Sequence, residues 1–245
     1  GEKTERVLAV SRSVLSSWRV PQGAEVLLNG VDLETWGPRA QGRPPLLSRV
    51  ARAGATHTGA PRADTLRADT LHTGTGHAGA ARAVWSGRIV PEKGPHLAVE
   101  AARIAGVELD IAGRVGDTRY LAEVLLPAVD DAGESVRVHG PLARDTLVPL
   151  VAGADVALVT PCWEEPFGLT AVEALVCGTP VVALARGGMR EILDGQPGVI
   201  LVDPGLDPAA ALAASIPAAL TLDRESTARA AAAAFSHEAR MARLE

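Results

Sequence analysis

The chain predicts an α/β fold, a doubly wound parallel sheet, on three observations. From Val84 onward, short β-rich runs alternate with Gly-bearing loops and with stretches whose apolar residues recur at helical spacing. Several of the runs are apolar throughout, as in strands covered by helices on both faces. Pro95 opens a helical stretch and Gly106 stops it, the usual asymmetry of helix ends.

Strands are expected at 83–86, 108–112, 136–139, 156–160, 181–184 and 199–202, because aliphatic and β-branched residues fill most of each run and Gly or Pro follows shortly after. Helices are expected at 95–105, 118–131, 144–152, 169–177, 208–220 and 224–243. In such sheets ligands sit at the carboxyl ends of the strands, so the loops that follow them are where chemistry is sought.

The first third differs. Residues 7–10 and 26–28 read as strands around a helix at 11–18, a βα fragment too short to be a domain alone. Beyond Pro38 the chain is rich in Arg, Ala, Gly, Thr and His, with the near-tandem Arg62-Ala-Asp-Thr-Leu and Arg67-Ala-Asp-Thr-Leu, and reads as a low-complexity linker or surface insertion. His57, His72 and His77 lie there without ligand spacing, so they read as solvated side chains rather than a metal site. The expected division is 1–35, a closing βα unit; 36–83, the insertion; 84–222, a Rossmann-like domain; and 223–245, a terminal helix.

The 245 residues are 47% hydrophobic and 22% charged, which excludes wholesale disorder. A net charge of -5 sets up no basic field for nucleic acid. Cys162 and Cys177 are too few for a disulfide scaffold, so a reducing cytoplasm is the expected compartment. No apolar run approaches the roughly 18 residues of a membrane span, although peripheral membrane contact stays open. Lys3 and Lys93 are the only lysines beside 22 arginines, and Asn29 is the sole Asn, a bias typical of GC-rich coding. A Lys or Asn that survives such a bias draws notice.

The densest motif runs from Glu164 through Glu165-Pro-Phe-Gly168 to Glu173, a loop entering a helix. Backbone N–H groups of Phe167, Gly168 and Leu169 at the helix start favour phosphate or sugar oxygens. Glu173 has the lone pairs to accept from two vicinal ribose hydroxyls, and Glu165 can hold a sugar hydroxyl or stabilise positive charge at a reacting carbon. By spacing alone, both carboxylates equally serve the helix dipole. Arg88 and Lys93 flank the turn after the first strand of the alternation, a placement that aims two cations at one diphosphate. Gly113, and Pro141 with Leu142, follow the next two strands, where a base can lie against bare backbone; each alone is a weak signal.

These residues resemble the family 4 (group 1) retaining glycosyltransferases of the GT-B fold. The resemblance rests on Asn29-Gly-Val-Asp32, on Ser86-Gly-Arg88 with Glu92-Lys-Gly94, and on the Glu165 to Glu173 motif followed by Cys177-Gly-Thr-Pro-Val and Arg186-Gly-Gly-Met-Arg-Glu191. Phe235-Ser236 with Arg240-Met-Ala resembles the family's last helix. The resemblance implies that Arg88 and Lys93 neutralise a donor diphosphate, that Glu173 binds ribose, and that Glu165 acts at the donor sugar, held also by Phe167, Gly168 and Leu169. It implies a UDP- or GDP-sugar as substrate, no cofactor and no metal, since two cations and a helix start take the electrostatic role of Mg²⁺. The acceptor, whether carbohydrate, lipid-linked or small molecule, is not identified.

Cys162 stands where the family usually has Ser. A GT-B enzyme has two Rossmann-like halves; here only the donor half is recognisable, and residues 1–35 resemble the close of an acceptor half. The alternatives are a truncated nucleotide-binding remnant without transferase activity and, further off, a sugar epimerase or phosphorylase.

Overall fold

The computed structural model describes residues 8–17, 25–26, 29–37 and 80–241. The three histidines at 57, 72 and 77, the tandem repeat and most of the expected insertion lie outside the described residues. Six strands, β3 (Arg82–Ser86), β4 (Glu108–Ala112), β5 (Val136–Gly140), β6 (Val156–Val159), β7 (Val181–Leu184) and β8 (Val199–Val202), form one sheet in the order β5-β4-β3-β6-β7-β8. Every neighbouring pair is parallel. The chain therefore winds outward from β3 to β5, returns to lay β6 beside β3, and winds out the other way. That is the Rossmann strand order, and it opens a crevice at the carboxyl ends of β3 and β6 where the winding reverses.

Alternation along the strands feeds two cores. Val182 and Leu184 join Trp85, Leu109, Ile111 and Leu158 beneath α3 (Pro95–Ala105) and α9 (Pro208–Ala219). Val181 and Ala183 join Val84 and Ala157 beneath α6 (Arg144–Gly153), α7 (Leu169–Val176), α8 (Gly188–Leu193) and α10 (Arg224–Phe235). β4 and β5 depart from this rule. Leu109 and Ile111 enter the first core, while Glu108 and Asp110 on the other face meet Arg137 and His139 of β5.

The expected helix at 118–131 is interrupted: α4 (Thr118–Tyr120) runs into a π turn at Leu121–Leu125 and then α5 (Leu126–Ala132). Pro127 has no N–H to return to the preceding turn, which is the local cause. The expected helix at 224–243 breaks at Ser236, which is extended and bridges Val31, while its hydroxyl caps α11 (His237–Met241). α8 was not expected at all; its Gly187-Gly188 opening reads as loop.

At the amino end, β1 (Leu8–Ala9) pairs in parallel with β2 (Glu25–Val26), with α1 (Arg12–Ser17) between them. The α1 start docks on α8 through the Arg12 N–H, which donates to Glu191 Oε2 at 2.7 Å. Asp32 caps α2 (Leu33–Trp36) by accepting from the Glu34 N–H at 3.0 Å. This segment is fastened to the main domain: the Val31 N–H donates to the Phe235 carbonyl at 2.7 Å, and buried Trp36 accepts from the Cys177 thiol through its carbonyl.

Candidate functional site

The β3–β6 crevice is built from two loops bonded to each other. Trp85 on β3 donates its indole N–H to Thr160 Oγ1 at 3.0 Å, and the Thr160 hydroxyl lies 2.8 Å from the Gly94 carbonyl. The Cys162 N–H donates to the Glu92 carbonyl at 2.8 Å. Between these bonds sits a 3₁₀ turn, Pro91–Lys93, which ends at Gly94 with φ +61°. A Cβ at Gly94 would collide with the Thr160 carbonyl, so both the turn and the close approach require glycine. The result is that Lys93 is presented across the crevice toward the loop of β6.

There Lys93 Nζ meets Glu165 Oε2 at 2.5 Å, and the same oxygen accepts from the Trp163 indole N–H at 2.9 Å. The ammonium also lies 5.4 Å from the centre of the Trp163 ring. The Glu165 backbone is pinned from behind: its carbonyl accepts from the Gly188 N–H at 2.7 Å, and a Cβ on Gly187 would stand only 2.6 Å from its N and O atoms. Phe167 is buried, Gly168 takes φ +81° against Met189, and Leu169 opens α7 with its side chain partly exposed.

A cavity of about 240 Å³ lies here, lined among others by Asn29, Ser86, Lys93, Glu165, Gly168 and Leu169. Phe167 and Val10 line it too. Five of the expected residues, Lys93, Glu165, Phe167, Gly168 and Leu169, thus share one cavity. Arg88, Glu173, Gly113, Pro141 and Leu142 are not among its lining. Arg88 is exposed in the β3 loop and has no ion-pair or hydrogen-bond partner among the described residues. Gly113 is pressed against the Gly87 carbonyl, and its N–H donates to the Gly140 carbonyl at 2.8 Å. Pro141 and Leu142 lie in the β5–α6 connection. All four stand at the same end of the sheet.

Glu173 lies on α7, where burial pushes its carboxyl up to about 7 against the opposing charge of Arg144. His96 is at the start of α3, where burial lowers its pKa; its Nδ1 lies 2.6 Å from the Tyr120 hydroxyl, itself pushed up to about 12 by burial. The sequence flagged Asn29 through the codon bias. It flagged Gly187-Gly188 within the Arg186 to Glu191 motif but not as the support of Glu165, and it carried no sign of Val10, which reaches the crevice from another part of the chain.

Fold and site together define a Rossmann-like domain whose ligand crevice sits at the switch point of the sheet. The chain belongs to the glycosyl transferases group 1 family, whose model matches residues 76–237. Over 161 residues, 62% of this chain, it is 35% identical to the D-inositol 3-phosphate glycosyltransferase of Mycolicibacterium paratuberculosis, and the match spans 36% of that protein. It is 41% identical over 120 residues, 47% of this chain and 27% of the relative, to the protein of the same name in Mycolicibacterium smegmatis. The chain therefore covers little more than a third of the length of the first of these relatives. Among solved structures, Anabaena HepE in complex with UDP and glucose superposes with a TM-score of 0.73 at 21% identity, covering 98% of this chain and 61% of that one. Sucrose-phosphate synthase from Thermosynechococcus elongatus gives 0.69 at 23%, covering 99% and 57%. The structural likeness is one of fold.

Proposed function

We propose that this chain supplies the donor site of a retaining glycosyltransferase that moves a sugar from a nucleoside diphosphate to an acceptor. The observation that carries the reading is the meeting of Lys93 and Glu165 over the crevice at the start of α7. A cation, a carboxylate and the outward N–H groups of a helix start suit a ligand that is anionic at one end and polyhydroxylic at the other. HepE, which shares the fold, is named as a complex with UDP and glucose, which supports the same ligand class.

In this reading Lys93 and Arg88 turn to the diphosphate, Glu173 accepts from the ribose hydroxyls, and Glu165 holds the donor sugar and faces the charge that develops at its anomeric carbon. The base lies along Gly113, Pro141 and Leu142. The bond from the anomeric carbon to the phosphate oxygen breaks as the acceptor oxygen bonds to the same face. The acceptor proton passes to the leaving phosphate oxygen, so no protein nucleophile is required. The two cations and the helix start offset the charge of the leaving group, with no metal called for. In this reading the reaction runs in the cytoplasm, the reducing compartment that two cysteines suit.

The test is thermal melting with UDP-glucose and GDP-mannose. A donor present at about a hundred times its Kd stabilises by roughly 2.7 kcal/mol, which at this size raises Tm by roughly 5–10 °C. We expect that shift for one of the two donors, unchanged by EDTA and absent in Arg88→Ala and Lys93→Ala. Melting that no nucleotide sugar alters would refute the reading.

A further inference from the structure

Trp163 stands two residues before Glu165 and outside the motifs that define the site. It is 40% exposed, a large apolar side chain left at the rim of a polar crevice. Its indole N–H and the Lys93 ammonium converge on one carboxylate oxygen, Oε2, at 2.9 and 2.5 Å. Glu165 Oε1 has no hydrogen bond among the described residues, so one oxygen is fully engaged and the other is left for a ligand.

The two donors differ in what they do when a ligand arrives. The Lys93 side chain is 30% exposed on a flexible stem, while that of Glu165 is only 10% exposed. A diphosphate offers several charged oxygens against the one carboxylate, and it draws the ammonium away. Glu165 then faces the loss of its cation in a site with little water, where an unpaired carboxylate is costly. The indole is the remaining donor. It sits on a loop already bonded to its surroundings by the Cys162 N–H on one side and the Glu165 carbonyl on the other.

We propose that Trp163 is a positioning residue, which keeps the Glu165 carboxylate in place after Lys93 leaves it for phosphate and so presents Oε1 to a sugar hydroxyl. This inference rests on the donor-site reading above. It predicts that Trp163 matters for the sugar and not for the nucleotide.

The experiment is calorimetric titration of the purified chain with UDP, ADP and GDP and with UDP-glucose, ADP-glucose and GDP-mannose. Trp163→Phe keeps an aromatic ring beneath Lys93 and removes the N–H. For the base that the wild type prefers, we expect the variant to bind the nucleoside diphosphate within about twofold of wild type and to bind the nucleotide sugar roughly tenfold more weakly, the scale of one hydrogen bond to a charged group. Trp163→His, which restores an N–H, should recover part of the loss. A variant that weakens both ligands equally, or neither, overturns the proposal. A second readout needs no variant binding: in ¹⁵N-tryptophan-labelled wild type saturated with the nucleoside diphosphate, the Trp163 indole N–H should exchange slowly with water, as is also expected of buried, hydrogen-bonded Trp85. Fast exchange overturns the proposal. If the wild type binds none of the six ligands, the donor reading itself falls, and the positioning role with it.

Discussion

Burial holds the Glu173 carboxyl up at about 7, with Arg144 opposing the shift. A carboxyl raised in the folded state contributes its full stability below its ordinary range, and loses it as pH climbs through about 7, because the unfolded chain releases the proton first. The change amounts to roughly 3 kcal/mol between pH 4 and pH 8. Glu173→Gln should therefore melt close to wild type near pH 4 and several degrees above it near pH 8, with the gap opening between those limits. The same variant should lose the thermal response to nucleotide sugar, and melting curves across pH with and without donor check both outcomes. At this scale Lys93 and Glu165 were legible, because a rare lysine beside a turn and a carboxylate before a helix are local signals. Trp163 was not: an indole reaching a carboxylate two residues away leaves no period or spacing to read.

The paired strands β4 and β5 carry the fold's largest departure from apolar patterning. Arg137 reaches Glu108 at 2.7 Å and Asp110 at 3.5 Å, and His139 lies 2.7 Å from Asp110, all four side chains being 8 to 13% exposed. Burial opposes ionisation of Asp110, yet the bond with His139 and the charges of His139 and Arg137 hold its carboxyl below the usual range. Removing the cation strands the buried Glu108 carboxylate and leaves Asp110 with His139 alone, at a cost of about 3–5 kcal/mol. Arg137→Met should lower Tm by roughly 10 °C, and adding Glu108→Leu with Asp110→Val should restore most of it; calorimetry of the two variants is the check. Sequence placed every one of the six sheet strands within a residue or two, since aliphatic runs ending at Gly or Pro are hard to mistake. It missed α8 and the π turn because a Gly-Gly opening and an interior Pro read as loop or as uninterrupted helix, and only packing decides between them.

At the scale of the whole molecule, the alternation of strand and helix announced a doubly wound sheet, but the order of its strands is a tertiary fact. Parallel neighbours need not be consecutive, and hydrophobic pattern does not say on which side of β3 the chain returns. That choice creates the crevice, so the site was legible as a set of loops and illegible as a place. β7 is buried at every position and β6 at three of four, while β1 and β2 are a two-residue pair set apart from the sheet. Amide hydrogen exchange followed by mass spectrometry should find β6 and β7 slowest, near the rate of global unfolding, and the β1–β2 unit among the fastest. The hydroxyl of Thr160 and the amide of Cys162 hold the lysine turn against the far loop through bonds made within the chain itself. A ligand entering there finds the backbone of its receptor already in working shape, so little of the interaction energy is spent on ordering the chain, and only the Lys93 side chain has to let go.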